Sequence, residues 1–520
     1  MDAENIQNNV QTKVKTQDIK DAKNAIPVHS VIVFLLATLA TAILVDLLPT
    51  KCSYWNWPKQ QDVRKVEVVP QATYAIYGKS KTEEHLIHVI NVLDRLGYQR
   101  VNLEDNWNLL WAHDYPFIKM PQRMKNLEKH QMVNHFPGCG FITNKVDLST
   151  TPLPFLPRAF RLPSQRQEFL EYVEHNPNAL FVEKHNEHRH IAIRPPEDIN
   201  LYSNDSFVQE FLQNPFLVDG YKFDIGVYVV ITSIDPLRLY IYSGDVLFRY
   251  CPVKYHPFDA SNVDKYVVGD DYLPTWQVPS LVKYYKRLGG SMRGAFDAYV
   301  RDQNQNPSGI WLQVEDIIRR TVLAKEQDIK GILRSYKTKN FFDLMRFDLI
   351  IDENLKVHLM EANMSPNLSS AHFKPNSLLY EQILYSVMNM VGIGSPLQNK
   401  TLQESKANFL SSEEVREMIT SERNLATNIN DCAEHGCDKS CNSRECDLCL
   451  PCLSGSEYEI LEKAHHEHLH RISMKRIFPK PILQPENFDI ATEVQNMTKR
   501  NAWMTRWFYY KCQYDSNWCI

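Results

Sequence analysis

In the stretch "MRFDLIIDENLKVHLMEANMSPNL", residues 345–368, three oxygen-bearing side chains, Asp348, Glu361 and Asn363, interrupt two apolar runs. Polar groups placed where a sheet would be dry are costly unless something satisfies them. Arg346–Ile351 and Lys356–Asn363 read as two strands around the turn "DENL", and side chains alternate faces along a strand. Glu361 and Asn363 therefore share a face. If Ile351 pairs with Lys356, Asp348 lies opposite Leu359 on that same face, diagonal to Glu361. Phe347, Leu349, Ile351, His358, Met360 and Ala362 then cover the other face. Two carboxylates held this close repel, and one is driven toward protonation unless a cation sits between them. Hard oxygen ligands suit Mg²⁺, which takes one or two carboxylates and fills its remaining positions with water and substrate phosphates. The hairpin predicts a Mg-nucleotide site. The plainer alternative pairs Asp348 with Arg346 or Lys356 and leaves Glu361 solvated.

A phosphate site also needs cations. The sequence contains no GxxxxGK[ST] loop, which argues against a P-loop fold. Lys184 at the end of "ALFVEK", Lys222 and Asp224 in "GYKFDIG", and Arg249 in "VLFRY" are charged residues set among apolar strand residues. Each alone could be a snorkelling or paired charge; together with the acidic hairpin they outline a cleft. The elements that must hold them follow from periodicity. Leu86, Val89, Ile90 and Leu93 recur at helical spacing between Thr82 and Gly97, and a second helix starts at Ser164. Residues 179–184 and 189–193 predict a hairpin. Val227–Thr232, Leu237–Tyr242 and Val246–Tyr250 predict antiparallel strands around Asp-Pro and Gly-Asp turns. Helices are expected from Val314 to about Tyr336 and over "SLLYEQILYSVMNMVGI". The class is α+β.

"FVQEFLQNPFLVDGYKFDIGVYVVITSIDPLRLYIY" and "MRFDLIIDENLKVHLMEANMSPNLSS" resemble, in order and spacing, the signature segments of the tubulin-tyrosine-ligase-like family of ATP-grasp ligases. The resemblance runs from about residue 71 to 394. It implies an ATP-grasp fold with antiparallel sheets and flanking helices. It puts Gln209, Phe211 and Leu212 at the adenine hinge and Lys184 on the nucleotide phosphates. Lys222 and Asp224 fall at the family's Lys-Phe-Asp positions, Arg249 near phosphates and acceptor, and Asp348, Glu361 and Asn363 on Mg²⁺. The implied reaction uses ATP to phosphorylate a glutamate carboxylate on an acidic tubulin or microtubule tail, after which the amine of free glutamate attacks the acyl phosphate. Three departures stand out. Gly226 replaces an arginine two residues beyond the aspartate, "HNEHRH" replaces a glycine-rich loop with Arg189 as its cation, and the His-Leu-Thr-Asn element expected after Arg249 is absent. They keep open a catalytically weakened, lumen-facing nucleotide-binding relative that acts as an interaction module, and a ligase with a non-tubulin acceptor.

Outside that region the chain carries appendages. A formal charge of -4 gives no electrostatic case for nucleic acid. The resulting division is a polar tail (1–25), a transmembrane anchor (26–48), a linker (49–70), the ligase-like domain (71–395) and a polar, then Cys- and His-rich extension (396–520). The anchor rests on the uncharged run Ile26–Val45, long enough to span a bilayer as a helix. Flanking lysines orient the N-terminus to the cytosol and the body to the lumen; a tubulin substrate would require a cytosol-facing body. Six of eleven cysteines fall between Cys432 and Cys452, a density that favours disulfides over zinc in an oxidising lumen, with Cys512 and Cys519 paired nearby. "HHEHLHR", with His466 and His470 one turn apart, reads as an exposed polar helix, and Arg471, Lys475, Arg476 and Lys480 as solvated surface.

Overall fold

The run "TYAIY" forms β1 (Thr73–Tyr77), and helix α1 (Ile87–Arg95) carries the chain back over it to β2 (Gln99–Arg100). With β3 (Leu109–Ala112) and β4 (Met132–Val133) these strands make a parallel sheet in the order β2-β1-β3-β4. Beside the expected antiparallel sheets, this one is parallel because a helical crossover, not a tight turn, joins its first strands. The helix expected over residues 82–97 is divided. A short turn of helix, Thr82–His85, precedes α1, and Gly97 at φ +81° ends the segment. The computed structural model describes residues 71–78, 82–185, 192–202, 206–394 and 422–520.

After the short helix α2 (Lys145–Ser149) comes a small antiparallel sheet of β5 (Ala159–Leu162), β6 (Phe181–His185), β7 (Ala192–Arg194) and β8 (Ser206–Glu210), ordered β5-β8-β6-β7. Helix α3 (Arg166–His175) covers it by inserting Phe169 between Phe160 and Phe181. Gln165, not Ser164, stands at the N-terminal boundary of α3.

The central sheet is organised by one long strand, β9 (Phe223–Ile234). Its first half pairs with β11 (Leu247–Tyr250) and its second with β10 (Leu237–Tyr242), while β13 (Asp343–Ile351) runs along the other edge and pairs in turn with β14 (Val357–Asn363). Every one of these pairings is antiparallel, and β12 (Leu273–Pro274) closes the β11 side. Among the helices that bury apolar faces in the associated core are α4 (Ser308–Leu333), six residues longer at its start than its periodicity predicts, and α5 (Asn376–Met390).

Residues 422–520 belong to the same compact unit, which spans Val69–Ile520. After α6 (Gly455–His470), β15 (Met474–Phe478) pairs with β10 and extends the central sheet, and α7 (Lys499–Tyr514) packs outside it. This overturns two surface expectations. His465, His466, Glu467 and His468 of α6 are buried. Arg476 is fully buried, its guanidinium 4.0 Å over the Phe508 ring and donating to the Trp518 carbonyl at 2.8 Å. Charge in the sequence marked these residues as solvated, but a row of backbone groups on β10 needed a partner strand, and that strand brought them inside. The cysteines are paired 432–449, 437–446, 441–452 and 512–519, with Cys139 and Cys251 buried as thiols.

Residues 26–48, on which the membrane anchor was read, lie outside the described residues, as do Arg189 and the loop around it. Among the described residues no helix is long and apolar enough to cross a membrane. The single-pass localisation, its topology and the membrane as a partner are corrected on that finding.

Candidate active site

β9, β11, β13 and β14 bring their charged residues onto one face because the register aligns them. Arg249 stands directly across from Asp224, Gly226 across from Asp348, and Asp348 across from Glu361. The last pairing differs from the expected diagonal one. A register shift between Asp348 and Leu349 moves the strand by one residue, so Leu349 pairs with Leu359 and Met360 is left as the extra residue of a bulge. A bulge turns neighbouring side chains toward one side; Met360, expected on the far face, lines the cavity beside Glu361.

That cavity, about 190 Å³, lies between the small sheet and the central sheet. Val182, Ile193 and Phe211 form its apolar wall, and Lys222, Asp224, Arg249, Asp348 and Glu361 its charged one. Lys222 is buried, with its ammonium 5.2 Å over the Phe211 ring and 2.8 Å from the Tyr266 carbonyl that it donates to. Burial lowers its pKa, with Asp224 among the groups opposing the shift. Leu212 faces a neighbouring groove of about 480 Å³, which Phe211 also lines. Gln209 is buried and donates to the Pro157 carbonyl at 3.4 Å. Lys184 lies on β6 with its backbone paired to Phe207.

The acidic groups are held by a tight set of donors. Arg249 donates to Asp224 from Nε (2.9 Å) and Nη2 (2.8 Å), and Nη2 also reaches Asp348 Oδ2 at 3.0 Å. Arg346 grips both oxygens of Asp348, at 2.6 and 2.8 Å. The Asn363 amide bridges Asp348 Oδ2 (3.1 Å) and Glu361 Oε1 (3.2 Å), and Lys145 approaches Glu361 Oε2 at 3.3 Å. The plainer alternative is thus present for Asp348, which Arg346 does pair with, while Glu361 meets a lysine. Burial pushes the Asp224 carboxyl up to about 6; Arg249 pulls it down and the negative charge of Asp348 adds to the rise. Lys145 went unread in the sequence because it sits on α2, more than two hundred residues before Glu361. Its one local sign is Asn144, whose side chain caps α2 by accepting from the Val146 and Asp147 amides.

The donor set fits a hard divalent cation. The Asn363 amide lies within hydrogen-bond distance of both Asp348 and Glu361, and turning it over would aim a third oxygen toward the two carboxylates without moving the side chain. Side chains of Glu361 and Lys145 are 32% and 39% exposed, so this pair can separate to admit an ion at little cost.

A two-sheet clamp of this kind, with a dry lysine, an aromatic wall and clustered carboxylates, has the architecture of an ATP-dependent ligase. The sequence profile of the tubulin-tyrosine ligase family matches residues 122–401, and the chain belongs to that family. It is similar to the probable tubulin polyglutamylase ttll-15 of Caenorhabditis elegans, 40% identical over 470 residues, covering 89% of this chain and 88% of that protein. It is 27% identical over 336 residues to tubulin polyglutamylase TTLL6 of Mus musculus, covering 60% of this chain and 39% of the relative. With tubulin monoglutamylase TTLL4 of Homo sapiens the figures are 27% over 326 residues, 56% and 26%. The chain therefore spans well under half of these last two relatives.

Proposed function

We propose that this chain is an ATP- and Mg²⁺-dependent ligase that joins glutamate to the side-chain carboxylates of glutamates in tubulin C-terminal tails, through an acyl phosphate. The observation that carries the reading is the cavity between the two sheets, where an apolar wall suited to a base adjoins Lys222, Arg249 and three carboxylates. The relatives' names, tubulin polyglutamylase and monoglutamylase, support the substrate. In this reading Phe211, with Gln209 and Leu212 alongside, receives the adenine. Lys222 and Lys184 bind phosphate oxygens, and Lys222 does so strongly because its ammonium is already out of water. Glu361, Asn363 and Asp348 would hold Mg²⁺, which when bound supplies positive charge to the phosphates. Arg249, fixed by Asp224 and Asp348, stabilises the oxyanion that forms as the amine attacks the acyl carbon and phosphate leaves. The acceptor carboxylate attacks the terminal phosphorus, releasing ADP; the incoming amine then displaces phosphate.

The test is incorporation of labelled glutamate into a tubulin-tail peptide by the purified full chain with Mg-ATP. Wild type should incorporate and Glu361→Gln should not. A wild-type chain that binds Mg-ATP without incorporating, or a Glu361→Gln chain as active as wild type, would remove the assignment.

A further inference from the structure

Position 226, where the family pattern calls for an arginine, holds a glycine, and the structure shows what uses the space. A Cβ added at Gly226 would lie 2.9 Å from Cδ, 3.3 Å from Nε and 3.4 Å from Cγ of Arg346. A Cβ does not approach a neighbour as closely as 2.9 Å, so a side chain at 226 would push the Arg346 stem off its observed path to Asp348. The backbone register explains the encounter. Arg346 on β13 is paired with Tyr228 on β9, and Asp348, two residues further along the same face of β13, is paired with Gly226. To reach Asp348 the Arg346 side chain must lie along the row and pass over residue 226. It ends in a two-pronged contact with both Asp348 oxygens, 2.6 and 2.8 Å away. One of those oxygens also accepts from Arg249, which holds Asp224 in the cavity wall. Arg346 is only 7% exposed, and a buried arginine with a planar fork is placed, not incidental.

We propose that Gly226 and Arg346 are a matched pair in which the cation missing from β9 is supplied from β13, with Arg346 acting as a positioning residue. It fixes the Asp348 carboxylate between two guanidiniums and adds positive charge beside the phosphate and ion site. The role at the nucleotide rests on the ligase reading; the pairing of the two positions does not. A guanidinium carried on β9 or on β13 arrives beside the same carboxylate, because adjacent strands lie only about 5 Å apart. The two arrangements are alternatives, and either one alone should serve.

The experiment is a cycle of full-length variants: Arg346→Gly, Gly226→Arg and the double substitution. Thermal melting is one readout. Mg-ATP affinity by calorimetry, with kcat and KM for glutamate incorporation, is the other. Each single variant should melt earlier, Arg346→Gly because Asp348 loses its fork and Gly226→Arg because two stems compete for one space. Each should also lower kcat/KM for Mg-ATP by about tenfold or more, and the double variant should recover to within about threefold of wild type, as expected for two residues that interact directly. A double variant that melts no later than the worse single variant overturns the pairing. Recovery of melting with Mg-ATP affinity and kcat unchanged across the whole cycle overturns the nucleotide-site role. A wild-type chain that neither binds Mg-ATP nor incorporates glutamate sinks the ligase reading, and with it that role, while the melting cycle still decides the pairing.

Discussion

The central sheet depends on a carboxylate contributed from far along the chain. Glu467 of α6 accepts from Arg238 Nε at 2.7 Å, Arg238 Nη2 at 2.9 Å, the Tyr240 hydroxyl at 3.0 Å and the Thr232 hydroxyl at 2.8 Å. Its side chain is 6% exposed and that of Arg238 3%. Glu467→Gln keeps the shape and removes the charge, leaving a buried guanidinium without its counter-ion. Breaking a buried pair on one side costs about 3 to 5 kcal/mol. Removing both charges together, as in Arg238→Met/Glu467→Leu, should cost much less, because no ion is left uncompensated. Urea titration followed by tryptophan fluorescence reads the difference, since Trp503, Trp507 and Trp518 lie in the C-terminal core. The expected result is an early transition for Glu467→Gln and recovery of most of the loss in the double variant. A loss below about 1 kcal/mol for Glu467→Gln, a value typical of exposed pairs, would refute the reasoning. So would a double variant as unstable as the single one.

Burial takes the His466 imidazole down to about 3, with His470 adding to the shift. The unfolded chain protonates this histidine below about 6.5 and the folded chain does not, so stability present above that pH is lost as pH falls from there toward 3. The contribution at pH 5 is about 2 kcal/mol, and His466→Gln should flatten the pH dependence of urea stability by that amount. Cys512→Ser/Cys519→Ser opens a loop with a sequence separation of 7 and should cost about 2 to 3 kcal/mol by loop entropy, seen as an earlier urea midpoint. Phe211→Leu keeps an apolar wall but removes the stacking face and the ring under Lys222. Its KM for ATP should rise by about tenfold, for a loss of about 1 to 2 kcal/mol, with a modest fall in melting temperature from packing lost against Tyr266 and Phe258; an unaltered KM would take Phe211 out of the base site.

Much of the site's composition was readable before any contact was known. Lys222, Asp224, Arg249, Asp348 and Glu361 are charges set inside apolar strands, and the structure gathers those five around one cavity. The hairpin faces were nearly right as well, since alternation is a property of consecutive residues. The errors came where distance in sequence matters. Alternation alone places Met360 on the far face, whereas the bulge, set by pairing with β13, turns it toward the cavity. The charges of α6 and β15 looked solvated because nothing local says that β10 needs a neighbour.

Helical and strand periodicities are local, so five of the charges around the cavity and the strands that carry them are legible without any long-range contact. What each charge faces follows from packing. It set Asp348 across from Glu361, laid Arg346 over Gly226, brought Lys145 from α2 to Glu361 and drove Glu467 under Arg238. Apart from the hairpin pair, those partners come from segments more than a hundred residues apart, and register and packing, which no short window encodes, select among the charges that could have met.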